Sequence, residues 1–497
     1  MTRVAWLAET LRRIAPLGCA ALLAGCVTVG PDYVAPAPSA LQVPASWQGT
    51  LPSKEGGLEI ADWWQHLGDA LLTRLIDQAL EASPDLRSAR AKLREARARR
   101  KLAGADLWPS ISASASAQHQ ELSEDAGIGG AQGFGGAAVE DQDLFAVGFD
   151  ASWEPDIVGG QRRAREAASA DQEGAVASLH DAQVTLAAEV ARSYVEARSF
   201  QERIAIARAS LASQSETLAL TDWRVQAGLA SSLDAEQART NVEQTRASIP
   251  PLETSLAEAE HRLATLLGLA PAELRDDLAA AAPIPQIPDP LTLGIPADIL
   301  RQRPDVAAAE RAVAAETARV GEAKAARYPT LSLSGSIGLE ALTLGALTQG
   351  SSLAATAAGS VAQTIFDGGR IGAQIEIQNA VQEQALVAYR AAVLTALEDV
   401  ENALVSLANH RARARALASA VESARSAALL ARHRYTAGII DFQTVLETER
   451  TVLTIEDSLN AARADTTTAA IQLYKALGGG WSVTPQAGPT GRHEESS

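Results

Sequence analysis

A cysteine near the start of the chain is placed to carry a covalent lipid. A basic segment and a short apolar stretch lead to Gly25-Cys26, where a small residue directly precedes the thiol. The apolar stretch is too short to span a membrane and is typical of a cleaved signal peptide, here over residues 1–25. Because a lipoprotein peptidase cuts before such a cysteine, the sequence predicts a diacylglycerol or palmitate group on Cys26.

Three further side chains are candidates for a functional site because they lie near the turns between helical segments. Asp234 and Glu447 each follow a glycine at the turn between two helical segments, and Tyr435 precedes one of these glycines. Carboxylates that are brought together at one point repel each other and are stabilised by cations or by protonation. The acids between residues 121 and 143 can also contact a divalent ion, although solvated loop charge is the simpler interpretation.

The motifs of common enzymes are absent from the sequence. It contains no Gly-x-Ser-x-Gly, no His-Glu-x-x-His and no phosphate-binding loop. We therefore predict no enzyme activity, no metal site and no cofactor beyond the lipid. The formal net charge of −17 also argues against nucleic acid as a partner, because nucleic acid requires a basic face.

The chain carries the same pattern of markers twice. Four residues of the first half recur in the second half with matching separations: Pro84, Pro109, Gly228 and Gly268 against Pro304, Pro329, Gly438 and Gly478. A duplication of roughly 210 residues is too long for a solenoid repeat, so it predicts two similar halves of one object. The predicted order is a lipid-anchored strap, a first repeat, a linker, a second repeat and a disordered tail, at 26–68, 69–268, 269–296, 297–478 and 479–497.

Each half is predicted to contain a long helical hairpin. The segments from Gly160 to Gly228 and from Gly369 to Gly438 contain no proline and are rich in alanine. One helix of this length spans roughly 100 Å, which suits a coiled coil better than a globular core. A return helix follows each long helix, and we expect Pro250-Pro251 to interrupt the first return.

Two β-hairpins, at about 109–155 and 329–366, are predicted because apolar and small polar residues alternate there. Such strands belong either to a soluble sandwich or to a sheet that faces lipid on one side and water on the other. The second hairpin carries no charge between Tyr328 and Leu339 or between Ala341 and Phe366, which favours lipid. The strand ends nearest the helices each carry an aromatic residue, which indicates an interfacial girdle or, alternatively, caps on the helix–strand joints: Trp108, Trp153, Tyr328 and Phe366.

Four strands cannot close a barrel by themselves. Open strand edges in hydrocarbon leave backbone amides unpaired, at a cost of several kcal/mol each. The chain must therefore share a barrel with copies of itself in a closed cyclic oligomer. Two, three or four copies give eight, twelve or sixteen strands, and strand counting leaves the choice open.

Several motifs resemble those of the TolC-like outer-membrane efflux channels, in particular the lipidated NodT type. The matching segments are the lipobox at Cys26, Gly30-Pro31-Asp32-Tyr33, Asp62-Trp63-Trp64, Phe366-Asp367-Gly368-Gly369-Arg370 and both glycine turns. The resemblance covers residues 26–480. It implies a mainly α fold with a membrane β portion, in which a homotrimer shares a twelve-stranded β-barrel and a periplasmic α-helical barrel. Val27, where lipoproteins of the inner membrane usually carry Asp, favours the outer membrane and its lipid.

The resemblance also implies a function and two kinds of site. It implies the exit duct of a tripartite pump for drugs or toxic compounds, with a periplasmic adaptor (membrane fusion protein) and an inner-membrane RND-type pump as partners. The turns would meet the adaptor, although their apolar residues can also hold each hairpin to itself; these residues are Gly228, Leu229, Gly438, Ile439 and Ile440.

The gate that the resemblance implies lies beside the turns. Glu447 stands where the family places an acidic ring, and Asp234 stands where a carboxylate joins the two hairpins, with Tyr435 as its expected donor. Ile440 stands where some members carry a basic residue, so a salt bridge is not expected there. The alternative for each acid is a solvated helix face. For the whole chain, the alternatives are a channel of the same fold for secreted protein and a structural coiled-coil lipoprotein.

Overall fold

The computed structural model describes residues 28–37, 41, 43–44, 47, 60–120, 142–287 and 296–481. The chain divides into two compact units, and each unit takes segments from both repeats. Unit 1 comprises Met1–Val34, Glu95–Glu173 and Arg311–Val387. Unit 2 comprises Ala35–Arg94, Gly174–Glu310 and Ala388–Ser497. Cys26 and the acids from Glu121 to Asp141 lie outside the described residues.

The two repeats contain the same elements in the same order. The first repeat consists of α1 (Ala70–Ala82), α2 (Pro84–Ala105), β1 (Ser110–Gln120), β2 (Gln142–Trp153), α3 (Gly160–Gln226) and α4 (Ser232–Leu267). A single turn of helix, α5 (Arg275–Leu278), lies in the linker. The second repeat consists of α6 (Pro296–Gln302), α7 (Pro304–Ala325), β3 (Thr330–Ala341), β4 (Leu353–Ala362), α8 (Arg370–Thr436) and α9 (Phe442–Ala476). No helix among these is both long enough and apolar enough to cross a membrane.

The strands of unit 1 form one antiparallel sheet in the order β1-β2-β3-β4. The register aligns apolar residues across all four strands, as in the row Ala113, Phe149, Ile337 and Ala355. The neighbouring row is polar: Ser112, Asp150, Ser336 and Thr356. Because successive side chains of a strand point to opposite faces, the predicted alternation produces one apolar and one polar face. Within the described part of one chain, the outer edges of β1 and β4 have no strand partner.

The N-terminal strap is held in unit 1 by a buried arginine. Arg163 of α3 is only 3% exposed and donates to the Asp32 carboxylate at 2.7 Å and to the Val29 carbonyl at 3.1 Å. Gly30 has φ +103° and lies so close to Gly321 of α7 that a Cβ atom would stand 2.3 Å from the Gly321 Cα atom. The Gly30-Pro31-Asp32 motif therefore fits a place that larger residues cannot occupy.

The core of unit 2 surrounds the two tryptophans of the Asp62-Trp63-Trp64 motif. Both indoles are buried, and the Trp63 ring stacks on Tyr474 of α9 with 5.1 Å between ring centroids. Leu72, Leu75 and Ile76 of α1 pack in the same cluster, and each is fully buried. This single core joins α1 to the helices of both hairpins.

Two details of the sequence interpretation were wrong. First, α4 continues through Pro250-Pro251 without a break. Each proline removes one helical hydrogen bond, but both are exposed, so water can reach the carbonyls left unpaired. Second, residues 479–481 were predicted to be disordered but are ordered: the Gly480 amide donates to Ile60 O at 3.0 Å, and Trp481 stacks on His180. Residues 482–497 lie outside the described residues.

Candidate functional site

The two glycine turns of unit 2 have the same geometry. Gly228, after α3, and Gly438, after α8, both adopt φ +72°. The Leu229 amide donates to Arg224 O at 2.7 Å, and the Ile439 amide donates to Arg434 O at 2.9 Å. This pattern of a left-handed glycine with a bond back across six residues ends helices because it satisfies their last carbonyls. The predicted turns are therefore helix ends of one type, repeated in both halves.

The apolar residues at these turns differ in exposure. The Leu229 side chain is 68% exposed and Ile439 is 71% exposed, whereas Ile440 packs against a buried cluster. Two large apolar side chains in water at equivalent turns are available to a partner. Adaptor docking through Leu229 and Ile439 stays a prediction, and Ile440 contributes to the interior of its own hairpin pair.

A small apolar cluster, which we name the tip core, joins the two hairpins below the turns. Its centre is the pair of Tyr435, at the end of α8, and Phe442, at the start of α9, with 5.7 Å between ring centroids. Both rings are buried. The other buried members are Ala238, Ala431, Val445 and Leu446. Because Ala238 belongs to α4 of the first hairpin, this cluster connects both hairpins.

Arg224 provides a polar connection that the sequence interpretation missed. Its guanidinium donates to the carbonyl oxygens of Tyr435 at 3.0 Å and Thr436 at 3.3 Å. The same guanidinium lies 4.6 Å from the centre of the Tyr435 ring. A cation at the last carbonyls of a helix is favourable because of the helix dipole, and its place over a ring adds a cation–π contact. The only hint in the sequence was a basic residue in the last turn of α3.

Asp234 does not make the predicted link to the second hairpin. Its carboxylate accepts from the Ser231 amide at 3.1 Å, while the Ser231 hydroxyl accepts from the Asp234 amide at 3.2 Å. This reciprocal capping box occupies the carboxylate at the start of its own helix. The Tyr435 hydroxyl is buried and has no hydrogen-bond partner among the described residues. The sequence identified the two residues but not the local cap that competes for Asp234.

Glu447 lies on an exposed face of α9. It lines a shallow cavity of about 420 Å³ together with Gln443, Arg450 and Thr454. Arg450 also donates to Asn241 of α4 at 2.8 Å, so this face of α9 is held to the first hairpin. The position agrees with an accessible carboxylate, and its role as a gate stays a prediction.

A second glutamate of α9 is buried between the hairpins. Glu449 is 7% exposed and accepts a hydrogen bond from the Thr217 hydroxyl of α3 at 2.6 Å. Burial raises the pKa of the Glu449 carboxyl, and the Thr217 bond and the charge of Arg432 only partly oppose this effect. Further from the glycine turns, Arg203 of α3 forms an ion pair with Asp457 of α9 at 2.6 Å. The polar contacts between the hairpins thus come from residues that the motifs did not indicate.

The four predicted girdle residues all lie in unit 1 and are exposed in the single chain. Trp108 is 75% exposed, Trp153 39%, Tyr328 46% and Phe366 91%. The Trp153 indole donates to Leu107 O at 3.0 Å, which ties the end of β2 to the start of β1. The antiparallel register places these four strand ends at the same end of the sheet, where the strands join the helices. This placement agrees with either a girdle or a set of joint caps.

Both halves of the chain match one family model, described as outer membrane efflux protein, over residues 75–269 and 295–479. The chain belongs to the outer membrane efflux protein family. The two matched segments follow the two structural repeats, so the duplication is a property of the family. The outer membrane is accordingly the location of this chain, and efflux is its function.

Known bacterial proteins resemble it over nearly their full length. The pyoverdine export outer membrane protein OpmQ of Pseudomonas putida is 34% identical over 463 residues, which cover 93% of this chain and 96% of the relative. Nodulation protein T of Rhizobium leguminosarum bv. viciae is 31% identical over 472 residues, which cover 94% and 93%.

Solved structures of outer-membrane channels share the fold. The outer-membrane channel OprN superposes with a TM-score of 0.84 at 34% identity and covers 91% of this chain and 99% of its own. The open state of the Neisseria gonorrhoeae outer membrane channel MtrE gives a TM-score of 0.81 at 28% identity, with 92% and 99% covered. The mainly helical fold with a membrane β portion is thereby confirmed.

Proposed function

We propose that this outer membrane efflux protein is the passive exit duct of a tripartite pump for small molecules. An inner-membrane pump of the RND type would supply the energy, and a periplasmic adaptor would join the pump to the duct. The names of several relatives refer to small molecules: pyoverdine for OpmQ, solvents for SrpC and toluene for TtgI of Pseudomonas putida. These names favour small molecules over the alternative of secreted protein.

The sheet of unit 1 supports the proposal that several copies of the chain form one duct together. It has an apolar face, a polar face and two unpaired edges within the described residues. An open edge in hydrocarbon costs several kcal/mol for each unpaired amide, so β1 of one copy should pair with β4 of the next. Three copies would give twelve strands with the serine-rich face toward water. We adopt the homotrimer because the family resemblance implies it.

Lipid would be the only group attached to the protein. A diacylglycerol on Cys26 would anchor the strap, whose next part is fixed to unit 1 by Arg163. Two signals, an acyl chain and an inserted sheet, hold a protein in a membrane more firmly than a single acyl chain. We propose no enzyme activity and no metal, since conduction through a duct needs neither.

Opening would begin where the adaptor meets the exposed turns. Contact with Leu229 and Ile439 would displace the ends of α3 and α8, and with them the tip core and the Arg224 bonds. The second hairpin would then move away from the axis and separate the three copies of Glu447. While they are close, three carboxylates repel one another and favour cations over anions in the passage.

Single-particle imaging of the detergent-extracted full chain tests this function first. We expect a hollow three-fold particle with a helical section of about 100 Å. A solid rod, or a monomer without a central channel, would refute the duct. For the gate, we expect planar-bilayer conductance of Glu447→Ala to lose cation preference, while Glu422→Ala on an exposed face of α8 keeps it. Equal ion preference in both variants would remove Glu447 from the gate.

A further inference from the structure

The helix α2 is strongly basic although the whole chain has a net charge of −17. Its sequence, PDLRSARAKLREARARRKLAGA, contains eight arginines and lysines against Asp85 and Glu95. A strong excess of positive charge concentrated on one helix of an acidic chain marks a surface for an anionic partner. The last turn of this helix leads directly to Trp108 and to β1.

Part of this charge gathers in a cavity of unit 1, which we name the basic cleft. The cavity, of about 520 Å³, lies between α2 and α3 and is lined by Arg97, Arg100, Lys101, Arg165, Gln172 and the Trp108 ring. Gly104 also lines the cleft, and a Cβ atom there would be in ordinary van der Waals contact with the Arg165 side chain at 3.9 Å. Four cations and an indole therefore surround one open space.

The cations of the basic cleft have no carboxylate partner among the described residues. Arg100 donates to the neutral Gln172 amide at 3.3 Å, and no ion pair within the described part of the chain involves Arg97, Lys101 or Arg165. The nearby acids of α3 bind other arginines: Glu166 binds Arg163, Asp171 binds Arg319 and Glu173 binds Arg311. Unopposed positive charge in a confined space attracts an anion.

The second repeat lacks this arrangement. When Pro84 is aligned with Pro304 and Gly160 with Gly369, the four cations correspond to Thr317, Val320, Gly321 and Gln374. The equivalent helices are joined instead by Gln378, which donates to Glu316 at 2.6 Å, and by Gln382, which donates to Thr317 at 2.8 Å. A helix–strand joint of this fold therefore does not require four cations.

The position along the chain selects the anion. Lys101 lies about one helical turn before the end of α2, and the exposed Trp108 stands between that end and the first residue of β1. Tryptophan prefers the boundary between hydrocarbon and water, where lipid phosphates lie. Arginine binds phosphate through two parallel hydrogen bonds, and clustered cations next to a membrane segment bind anionic lipid.

We propose that the basic cleft binds the phosphate of an anionic phospholipid in the periplasmic leaflet of the outer membrane. Each copy would hold one headgroup against Arg97, Lys101 and Arg165, with the acyl chains directed along the apolar face of the sheet. The site would fix the depth of the strands in the bilayer at the end where the helices begin. This inference rests on the proposed function in one respect, that the sheet of unit 1 lies in the membrane.

Spin-labelled lipids test the proposal directly. The full chain is reconstituted into phosphatidylcholine vesicles that contain a trace of spin-labelled phosphatidylglycerol or spin-labelled phosphatidylcholine. We expect the protein-bound fraction to favour phosphatidylglycerol about fivefold, as a gain of about one cation's attraction to an anionic lipid predicts. The triple variant Arg97→Gln, Lys101→Gln, Arg165→Gln should bind the two lipids about equally, because the three positive charges are lost.

Two controls separate charge from structure. The variant Arg239→Gln, Arg246→Gln, Arg434→Gln also removes three positive charges, two from α4 and one from α8 in unit 2, and should keep the preference. The variant Arg97→Lys, Arg165→Lys keeps the charge and should also retain most of it. A preference that is absent in the parent protein, or equal in the triple variant and the parent, would overturn the proposal.

Two further measurements distinguish a failure of the lipid proposal from a failure of the proposed function. If inorganic phosphate binds the parent protein but not the triple variant, and the parent shows no preference for labelled phosphatidylglycerol, the cleft is a site for free phosphate, and the lipid proposal is wrong. Flotation of vesicles that carry the Cys26→Ala variant, which has no acyl anchor, reports insertion of the sheet independently. Protein that fails to float contradicts the proposed function, whereas protein that floats without a lipid preference contradicts only the lipid site.

Discussion

At the scale of single residues, Arg224 holds the two hairpins together where a carboxylate was predicted. It binds two carbonyl oxygens at the end of α8 and the face of the Tyr435 ring. We expect Arg224→Gln to weaken this connection by about 1–3 kcal/mol, because a charged hydrogen bond and a cation–π contact are lost. The hairpins should then separate more easily, and the single-channel conductance in planar bilayers should rise.

Tyr435→Phe is the matched control for this experiment. The phenylalanine keeps both the backbone carbonyl and the ring face that Arg224 contacts, and it removes only a buried hydroxyl that lacks a partner among the described residues. We expect its conductance and thermal stability to equal those of the parent protein. A large effect of Tyr435→Phe with none of Arg224→Gln would restore the predicted link between Tyr435 and Asp234.

Glu449 makes the contact between the hairpins dependent on pH. Burial raises its pKa, so the folded protein holds this proton more tightly than the unfolded chain does. The resulting stability is complete below the usual glutamate pKa and is lost as the pH rises through the raised pKa. Glutamine cannot ionise, and its amide oxygen can still accept from Thr217. We therefore expect Glu449→Gln to be more stable than the parent at neutral pH.

The measurement is the midpoint of thermal unfolding across the acid-to-neutral range. The difference between Glu449→Gln and the parent should grow as the pH rises. Glu422→Gln, at an exposed position of α8, should give the same curve as the parent. Parallel curves for Glu449→Gln and the parent would show that the buried carboxyl does not titrate in this range.

At the scale of elements, the glycine turns set how firmly the long helices end. Gly438 adopts φ +72° with open space around its missing Cβ, so the only penalty for alanine there is the left-handed backbone. We expect Gly438→Ala to cost about 1–2 kcal/mol locally and to speed exchange of the Ile439 amide about five- to thirtyfold. Hydrogen exchange followed by mass spectrometry of the tip peptide measures this change.

A glycine within the same helix supplies the opposite expectation. Gly372, near the start of α8, has no left-handed φ, and an added Cβ atom would have no neighbour within 4 Å. Gly372→Ala should therefore leave tip exchange unchanged and stabilise the helix by about 0.5–1 kcal/mol. Faster tip exchange in both variants would point to a general loosening of α8.

The elements also mark what could be predicted from the sequence. Alternating periodicity predicted the first three strands, and the lack of charge predicted the fourth, whose alternation is weak. Long proline-free, alanine-rich segments predicted α3 and α8. Pro250-Pro251 failed as a breaker because exposure allows water to replace the lost bonds. The link predicted for Asp234 was wrong, and the link made by Arg224 was missed, for another reason: several donors and acceptors compete near the turns, and only three-dimensional distances decide which pairs form.

At the scale of the whole molecule, adjacent residues of β3 test whether the sheet faces lipid on one side. Ile337 belongs to the apolar face and is 54% exposed, whereas Ser336 belongs to the polar face and shares a 2.7 Å hydrogen bond with Thr356. The two positions lie at the same depth, so lysine at each differs only in the face that receives the charge. A lysine facing lipid near the bilayer midplane costs about 2–4 kcal/mol, and a lysine facing a water-filled lumen costs much less.

We therefore expect Ile337→Lys to reduce the amount of assembled protein in outer-membrane fractions and to lower its urea midpoint in vesicles. Ser336→Lys should assemble normally and alter only ion conductance, because its charge would line the passage. The three copies of each lysine in a trimer multiply both effects. If both lysines were tolerated equally, neither face would contact lipid and the sheet would belong to a soluble sandwich. If Ser336→Lys alone failed, the faces would be reversed, and the row of apolar side chains would line the interior.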